Sequence, residues 1–185
     1  VKAFRLKSTK LATVEWSKKP YSFTEPRYKN SLCIIIPSHT SERREYIPIG
    51  FLDAGTVVSN SAFAIYDAPL WLFGILTSKM HMAWVKTVGG RLETRYRYSA
   101  QLCYNTFPFP AINEAQKAEL EELAQEVLDV RDQHFDMTLG EQYNPETMPE
   151  TLKEAHHRLD LAVERCYRPE PFSSDEERLE CLFKL

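Results

Sequence analysis

The sequence predicts an α+β fold, in which a small mixed or antiparallel β-rich domain with helices precedes an antiparallel helical hairpin or small bundle. Short apolar runs of strand character occur through residues 1–110, whereas residues 111–185 carry apolar stripes at helical spacing. Residues 1–110 contain 15 Lys and Arg against 7 Asp and Glu (net +8), and residues 111–185 contain 8 against 19 (net −11). Since both properties change near Pro110, we place the domain boundary there.

Strands are expected in the first domain where short β-branched or aromatic runs stand between turn residues. Such runs occupy residues 32–36, 46–51, 56–59 and 62–66. Residues 91–98 alternate strongly between polar and apolar side chains, which predicts one half-exposed strand. In a single strand Arg91, Arg95 and Arg97 would share one face.

Two helical stretches in the first domain are separated by a polar break. Asp67 is the expected N-cap of an apolar helix over residues 70–76. Residues 77–79 (Thr-Ser-Lys) interrupt this run. A second helical pattern then continues towards Gly89 and Gly90, which are a natural stop.

The second domain is predicted to be helical throughout. Asn113 begins a capping box followed by apolar residues at helical spacing, so residues 113–138 are predicted to form a long amphipathic helix. Thr147 with Glu150 predicts a second capping box, for a helix that ends near residue 167. A third helix is expected from the serine and acidic residues at 173–177.

Several classes of protein are excluded by composition and pattern. No apolar run of 18 residues and no signal peptide occur, so we expect a cytoplasmic protein without a membrane span. The cysteines share no CxxC spacing and have apolar neighbours, which indicates reduced core thiols. They are Cys33, Cys103, Cys166 and Cys181. Because the chain begins without Met and stops inside a predicted helix, we expect a fragment of a longer protein.

No catalytic or metal-binding pattern is recognisable. The sequence lacks a Gly-rich phosphate loop, Gly-x-Ser-x-Gly and His-Glu-x-x-His. His156 and His157 are adjacent and therefore point to different faces of a helix, while His81 lies in an apolar stretch typical of a core histidine. We therefore expect a non-catalytic chain without a metal. Five large side chains are assigned to the core rather than to base stacking: Trp71, Phe73, Met80, Met82 and Trp84.

The net charge of +8 in the first domain favours a polyanionic partner, either DNA or RNA. The alternative is a basic surface that is merely solvated. The acidic second domain is a poor surface for nucleic acid and is expected to pack on protein. A protein–protein interaction or structural module of a larger enzyme therefore remains open as a second hypothesis.

Two unusual strings carry a family resemblance: residues 77–84 (TSKMHMAW) and residues 104–110 (YNTFPFP). Together with residues 41–51, 90–92 and 96–99 they resemble the MmeI-like family, which comprises single-chain type II restriction–modification enzymes and adenine-specific DNA methyltransferases. The resemblance extends over nearly the whole chain. It implies a target recognition domain in residues 1–110 and a short helical C-terminal domain in residues 111–185.

The resemblance also implies what lies outside this chain. Enzymes of this family carry a methyltransferase core with an Asn-Pro-Pro-Tyr motif, and some carry a nuclease. Asn144-Pro145-Glu146 is not that motif, because the second proline and the aromatic residue are lacking. S-adenosylmethionine is therefore expected in the absent methyltransferase domain. The expected partners are double-stranded DNA and that same domain.

Base readout is expected in two polar breaks that match the family's discriminating positions. The candidates are Arg44, Glu45, Thr77 and Lys79, since Arg and Lys suit guanine and Glu can accept from cytosine. The alternative for the first break is that Arg43 and Glu45 simply pair with neighbours at the surface.

Contacts with the DNA backbone are expected from a second set of basic residues. These are Arg43, Lys86, Arg91, Arg95 and Arg97. The alternative for the three arginines at 91–97 is a set of cross-strand salt bridges. Glu93 is excluded from these bridges, because it would share the face of the arginines and dilute its charge.

Overall fold

A computed structural model describes residues 1–22 and 27–185, which separate into the compact units 1–30 and 31–185. The first unit contains helices α1 (Lys2–Leu6) and α2 (Leu11–Glu15), followed by a 3₁₀ turn (Trp16–Lys18). The Arg5 guanidinium donates to the backbone carbonyls of Trp16 and Lys19, which closes this small helical turn on itself.

The first sheet of the larger unit has β1 (Cys33–Pro37) between β3 (Gly50–Leu52) and β4 (Ala62–Tyr66), with both neighbours antiparallel. This confirms the strands predicted at 32–36 and 62–66. The strand predicted at 56–59 is wrong, because β3 ends opposite Cys33 and β4 begins opposite Pro37. Residues 53–61 must therefore run back along the sheet as a loop, with no strand beside them to pair with.

The second sheet has the order β2–β6–β5, from β2 (His39–Thr40), β6 (Arg95–Arg97) and β5 (Gly90–Leu92). The single strand predicted at 91–98 is a hairpin, turned at Glu93, which has a positive φ of 58°. The turn resets the register, so Arg91 lies opposite Tyr96. Arg91 therefore shares a face with Tyr96, while Arg95 and Arg97 point the other way. The prediction that the three arginines share one face is wrong.

Helices α3 (Leu70–Leu76) and α4 (Lys79–Val88) meet at the predicted polar break. Ser78 is the N-cap of α4 and accepts from the backbone N–H of His81. The N-cap of α3 is Pro69 rather than Asp67, whose φ of 57° takes it out of the helix. Helix α4 ends at Gly89 as predicted, and a Cβ there would stand 2.4 Å from the Val85 carbonyl oxygen.

The acidic half contains α5 (Glu114–Gln133), α6 (Leu139–Gln142), α7 (Glu150–Arg165) and α8 (Asp175–Leu182). The capping box at Asn113 is confirmed. The capping box predicted at Thr147 is wrong, because α7 begins after Pro149 and the Thr147 hydroxyl donates to the Glu141 carbonyl instead. Ion pairs join Arg158 to Glu126 and Arg165 to Glu119, so α5 and α7 run antiparallel, as the predicted hairpin requires.

The core of the larger unit crosses the charge boundary at Pro110. Gly74 on α3 lies so close to the acidic half that an added Cβ would meet Leu159 Cδ1 at 3.3 Å and the Leu120 carbonyl oxygen at 3.5 Å. Met80, Leu120 and Leu159 belong to one buried cluster. The change of charge near Pro110 is therefore not a division in packing.

Several side-chain predictions are confirmed by burial. Phe73, Met80, Met82 and Trp84 are buried core residues, and Trp71 packs against the same core. The cysteines are thiols, two of them buried and two partly buried. None of the described helices is long and apolar enough to cross a bilayer.

Candidate nucleic-acid interface

The sheet β2–β6–β5 turns an exposed face to solvent. His39 lies opposite Arg97, and Leu92 lies opposite Arg95. Directly opposed residues point to the same side of an antiparallel pair, and residues two apart in a strand share a face, so these four side chains lie together. All four are exposed. Gly90, the other neighbour of Arg97, has no side chain that could cover the guanidinium.

The two arginines of this face differ in their partners. Arg95 Nη2 lies 2.7 Å from Glu93 Oε2 at the hairpin tip, where the two side chains are 49% and 75% exposed. Such an exposed pair is weakly held. Within residues 1–22 and 27–185, the Arg97 side chain makes no hydrogen bond or ion pair. Both guanidinium groups are therefore available to a ligand.

The loop 53–61 returns to the edge of this sheet beside Ser38. The Ser38 backbone N–H and hydroxyl both donate to the Ser61 carbonyl, at 2.9 and 2.6 Å, while the Ser38 carbonyl accepts from the Tyr98 N–H. Asn60 is therefore held next to β2, with its side chain exposed. We call the resulting surface the β2–β6–β5 face, defined by His39, Asn60, Ser61, Leu92, Glu93, Arg95 and Arg97.

The first predicted reading break is bound to the acidic half. Arg43 forms an ion pair with Glu146, and the carboxylate raises the pKa of the guanidinium. Arg44 Nη2 donates to the Gly140 carbonyl at 3.1 Å and its Nη1 donates to Thr40 Oγ1 at 3.5 Å. Both arginines therefore already have partners within the chain. For Arg43 this agrees with the alternative given above, that it pairs with a neighbour at the surface.

The second predicted reading break is also bound within the chain. Lys79 Nζ lies 3.4 Å from Glu45 Oε2, so these two predicted readers pair with each other. Lys86 Nζ lies 2.9 Å from Asp175 Oδ2. Thr77 is only 1% exposed, so its side chain is covered by the protein, which argues against the predicted contact with a base edge.

Arg91 is exposed but lies on the opposite side of the hairpin from Arg95 and Arg97. Its guanidinium stacks over the Tyr96 ring, 3.8 Å from the centroid, and its Nη1 donates to the Thr94 carbonyl. Contact between Arg91 and a phosphate remains a prediction, and it would be made from the opposite side of the hairpin to the β2–β6–β5 face.

A pocket of about 310 Å³ separates α4 from the first turn of α8. Its charged groups are Glu45, Lys79, Lys86, Asp175 and Arg178. Because each of these cations pairs with a carboxylate, the pocket has mixed charge rather than the excess positive charge that suits a phosphate.

Sequence reasoning missed a buried polar cluster centred on Asp160 of α7. Asp160 is 3% exposed and accepts hydrogen bonds from the Tyr46 hydroxyl (2.7 Å) and the Lys79 backbone N–H (2.8 Å). Burial raises the pKa of this carboxyl to about 7, against the opposing effect of its two donors.

The cluster continues through His156, one helical turn before Asp160. The His156 ring stacks on Tyr46, with ring centroids 4.2 Å apart. The Tyr143 hydroxyl accepts from Arg131 and is hydrogen-bonded to His156 Nε2, with the two atoms 2.6 Å apart. Burial, with the charges of Arg131 and Lys79, lowers the pKa of His156 well below its usual value. The imidazole is therefore neutral.

The sequence did contain a signal for this cluster. His156 and Asp160 follow Leu152 at intervals of four residues, on the stripe that buries α7. Polar residues on a buried stripe need partners, so their presence indicates a buried network. Among residues 1–22 and 27–185, no group of three or more His, Cys, Asp or Glu side chains could hold a metal ion.

Comparison with known proteins places this geometry in a family. A profile of the MmeI target recognition domain matches residues 1–111, and a profile of the MmeI C-terminal domain matches residues 112–185. The chain belongs to the MmeI family. Its MmeI-type domains meet directly beside Pro110, where charge and periodicity change.

Two MmeI-family relatives extend the comparison. The chain is 51% identical over 184 residues to DNA methyltransferase A of Bacillus subtilis (strain 168), and it spans 21% of that protein's length. It also matches a solved structure of the type IIL restriction–modification enzyme MmeI in complex with DNA, with a TM-score of 0.90 and 40% identity. That match covers the whole of this chain and 25% of the solved chain.

Proposed function

We propose that this chain is the DNA recognition module of a larger adenine-specific DNA methyltransferase or bifunctional restriction–modification enzyme, and that the β2–β6–β5 face reads the bases. The observation that carries the proposal is the availability of this face, since Arg97 is exposed and makes no side-chain hydrogen bond or ion pair with the part of the chain that the structure describes. The relatives support it, because one is named a DNA methyltransferase and the other was solved with DNA.

The shape and chemistry of the face suit the major groove. A two-stranded β-ribbon such as β5–β6 fits that groove, where each base pair presents a distinct pattern of donors and acceptors. The guanidinium groups of Arg95 and Arg97 can bind guanine, the Asn60 amide suits adenine, and the Glu93 carboxylate can accept from cytosine. The residues of the face thus include a reader for each of these three bases.

The paired cations fit this role less well. Arg43, Lys79 and Lys86 would each have to leave a carboxylate before contacting DNA. We therefore assign Arg44 and Glu45 to holding the loop between β2 and Tyr46 in place. Contacts from Arg43 or Lys86 to the DNA backbone would be secondary to those of the β2–β6–β5 face.

Catalysis is assigned to the rest of the enzyme. The chain spans about a fifth of its curated relative and a quarter of the solved structure, which leaves room for a methyltransferase domain elsewhere. We propose that S-adenosylmethionine binds in that domain and supplies the methyl group. This chain would present the target sequence to it, in the cytoplasm.

The test compares two exposed arginines in the full-length enzyme. Arg97→Ala should weaken binding to a duplex that carries the recognition sequence by about tenfold, since one bidentate base contact contributes roughly 1–3 kcal/mol of discrimination. Arg43→Ala is the matched control, because its guanidinium pairs with Glu146 away from the face. Fluorescence anisotropy with cognate and unrelated duplexes measures both. Equal losses in the two variants, or none in Arg97→Ala, would contradict the assignment.

A further inference from the structure

Asp160 joins the acidic half to two separate segments of the basic half. One carboxylate oxygen accepts from the Tyr46 hydroxyl and the other accepts from the Lys79 backbone N–H. The Lys79 N–H belongs to the first turn of α4, where a helix has no partner of its own for such a donor. A single side chain of α7 therefore fixes both a loop residue and a helix end.

The two segments held by Asp160 flank the β2–β6–β5 face along the chain. Tyr46 follows β2 by six residues, and Arg44 between them donates to Thr40 Oγ1 in β2. Helix α4 begins at Lys79 and leads through Gly89 directly into β5. The exit from β2 and the approach to β5 thus both depend on the same carboxylate.

The first turn of α4 also contacts the face more directly. His81, two residues after Lys79, is fully buried, and its Nε2 lies 3.0 Å from the Tyr98 hydroxyl. Tyr98 follows Arg97 and donates its backbone N–H to the Ser38 carbonyl. A shift at the start of α4 would therefore move the end of β6 and the edge at Ser38.

Burying the Asp160 carboxylate costs more free energy than burying an apolar side chain at the same position would. Both donors are neutral groups, and the nearby Lys79 ammonium pairs with Glu45. A buried carboxylate without a paired cation is unfavourable, and an apolar side chain usually packs as well at lower cost. What a carboxylate adds is direction, because its two oxygens fix two donors at set distances.

We propose that Asp160 is a positioning residue for DNA recognition: it sets the β2–β6–β5 face by holding Tyr46 and the first turn of α4 from the acidic half. The inference rests on the proposed function of that face. It gives the helical C-terminal domain a definite role, which is to fix the geometry of the recognition residues without touching DNA.

The experiment uses the full-length enzyme and measures the ratio of its affinities for a cognate and an unrelated duplex, well below the melting temperature of each variant. Asp160→Ala removes both anchors and should lower the ratio about tenfold, which is the scale of one misplaced base contact. Tyr46→Phe removes only the hydroxyl and should lower it about threefold, as expected for one hydrogen bond. It also serves as the deciding variant where Asp160→Ala does not fold.

Two further variants separate positioning from stability. Asp160→Asn should restore the ratio, because the amide oxygen accepts from the Lys79 N–H while the amide N–H donates to the Tyr46 oxygen. Leu152→Ala, on the same helix and fully buried among apolar neighbours, should lower the melting temperature and leave the ratio unchanged. An equal fall in Leu152→Ala, or an unchanged ratio in Asp160→Ala or Tyr46→Phe, would overturn the positioning role.

Arg97→Ala distinguishes this failure from failure of the proposed function. If Arg97→Ala lowers the ratio while Asp160→Ala and Tyr46→Phe do not, only the positioning role is wrong. If Arg97→Ala also leaves the ratio unchanged, the β2–β6–β5 face is not the reading surface.

Discussion

Two basic regions of this molecule have similar side chains, but only one of them leaves its cations available to a ligand. On the β2–β6–β5 face, Arg97 has no side-chain partner among the described residues, and Arg95 has only an exposed pair with Glu93. In the loop and helix around residues 43–86, Arg43, Lys79 and Lys86 each pair with a carboxylate, and Arg44 donates to the Gly140 carbonyl. The difference shows that the net charge of +8 overstates the charge available to a polyanion, because carboxylates of the acidic half neutralise some of these cations within the chain.

The same comparison explains why the acidic half is more than a spacer. Glu146, Asp160 and Asp175 of this half each contact the basic half. Glu146 pairs with the exposed Arg43 and Asp175 with the partly buried Lys86, whereas Asp160 is buried at 3% exposure. The exposed Arg43–Glu146 pair contributes little to stability, but the buried Asp160 carboxyl holds the Tyr46 hydroxyl and the first turn of α4. The two halves are thus complementary in charge and joined by a few directed contacts.

The largest expected effect is a pH dependence of the unfolding free energy, which arises from the Asp160 carboxyl. Its pKa is raised in the folded state to about 7, above roughly 3.9 in the unfolded chain, so the folded state holds the proton more tightly. The stabilisation is therefore complete below about pH 4 and is lost as the pH rises through 7, by up to about 1.4 kcal/mol per pH unit.

Asp160→Asn should remove this dependence. The difference in unfolding free energy between wild type and Asp160→Asn, measured with urea from pH 4 to 8, should shift in favour of the variant as the pH rises. Taking the difference matters, because His156, with its lowered pKa, acts in the opposite direction. A difference that stays constant over this range would show that the carboxyl has an ordinary pKa.

A smaller effect compares two residues that the sequence assigned alike to the DNA backbone. Arg91 is exposed and has no carboxylate partner within residues 1–22 and 27–185, whereas Lys86 pairs with Asp175. Arg91→Ala should reduce the slope of log Kobs against log salt concentration by about 1, as expected for one lost phosphate contact. Lys86→Ala should leave the slope nearly unchanged. If instead only Lys86→Ala reduces it, the paired region contacts DNA and the distinction between the regions fails.

Sequence patterns predicted those strands, helix starts and caps that are determined by neighbouring residues. The β-branched run of β1, the polar break before α4 and the capping box at Asn113 each depend on neighbouring residues, and each is present. The hairpin at Glu93 was missed because neither turn residue is Gly or Asn, so the alternation looked like one continuous strand. That error alone placed Arg91 on the wrong face.

The exposure of the candidate reading residues was harder to predict, for a different reason. Thr77 and Lys79 form a polar break in the sequence, but Thr77 is buried, and Lys79 donates its backbone N–H to the buried Asp160 and pairs its ammonium with the exposed Glu45. Whether a polar residue faces solvent or a buried partner depends on contacts between residues far apart in the chain, such as those of α4 with α7. Exposure of Arg97 likewise became evident only from the register of β2 and β6.

The most direct test of the central claim is the methylated sequence itself. Adenine methylation in DNA from cells that express the full-length enzyme can be mapped by methylation-sensitive sequencing, for wild type, Arg97→Ala and Arg43→Ala. If the β2–β6–β5 face reads the bases, Arg97→Ala will relax or change the motif at one position, while Arg43→Ala will keep the wild-type motif. An unchanged motif in Arg97→Ala, whatever Arg43→Ala shows, would mean that the β2–β6–β5 face does not read the bases.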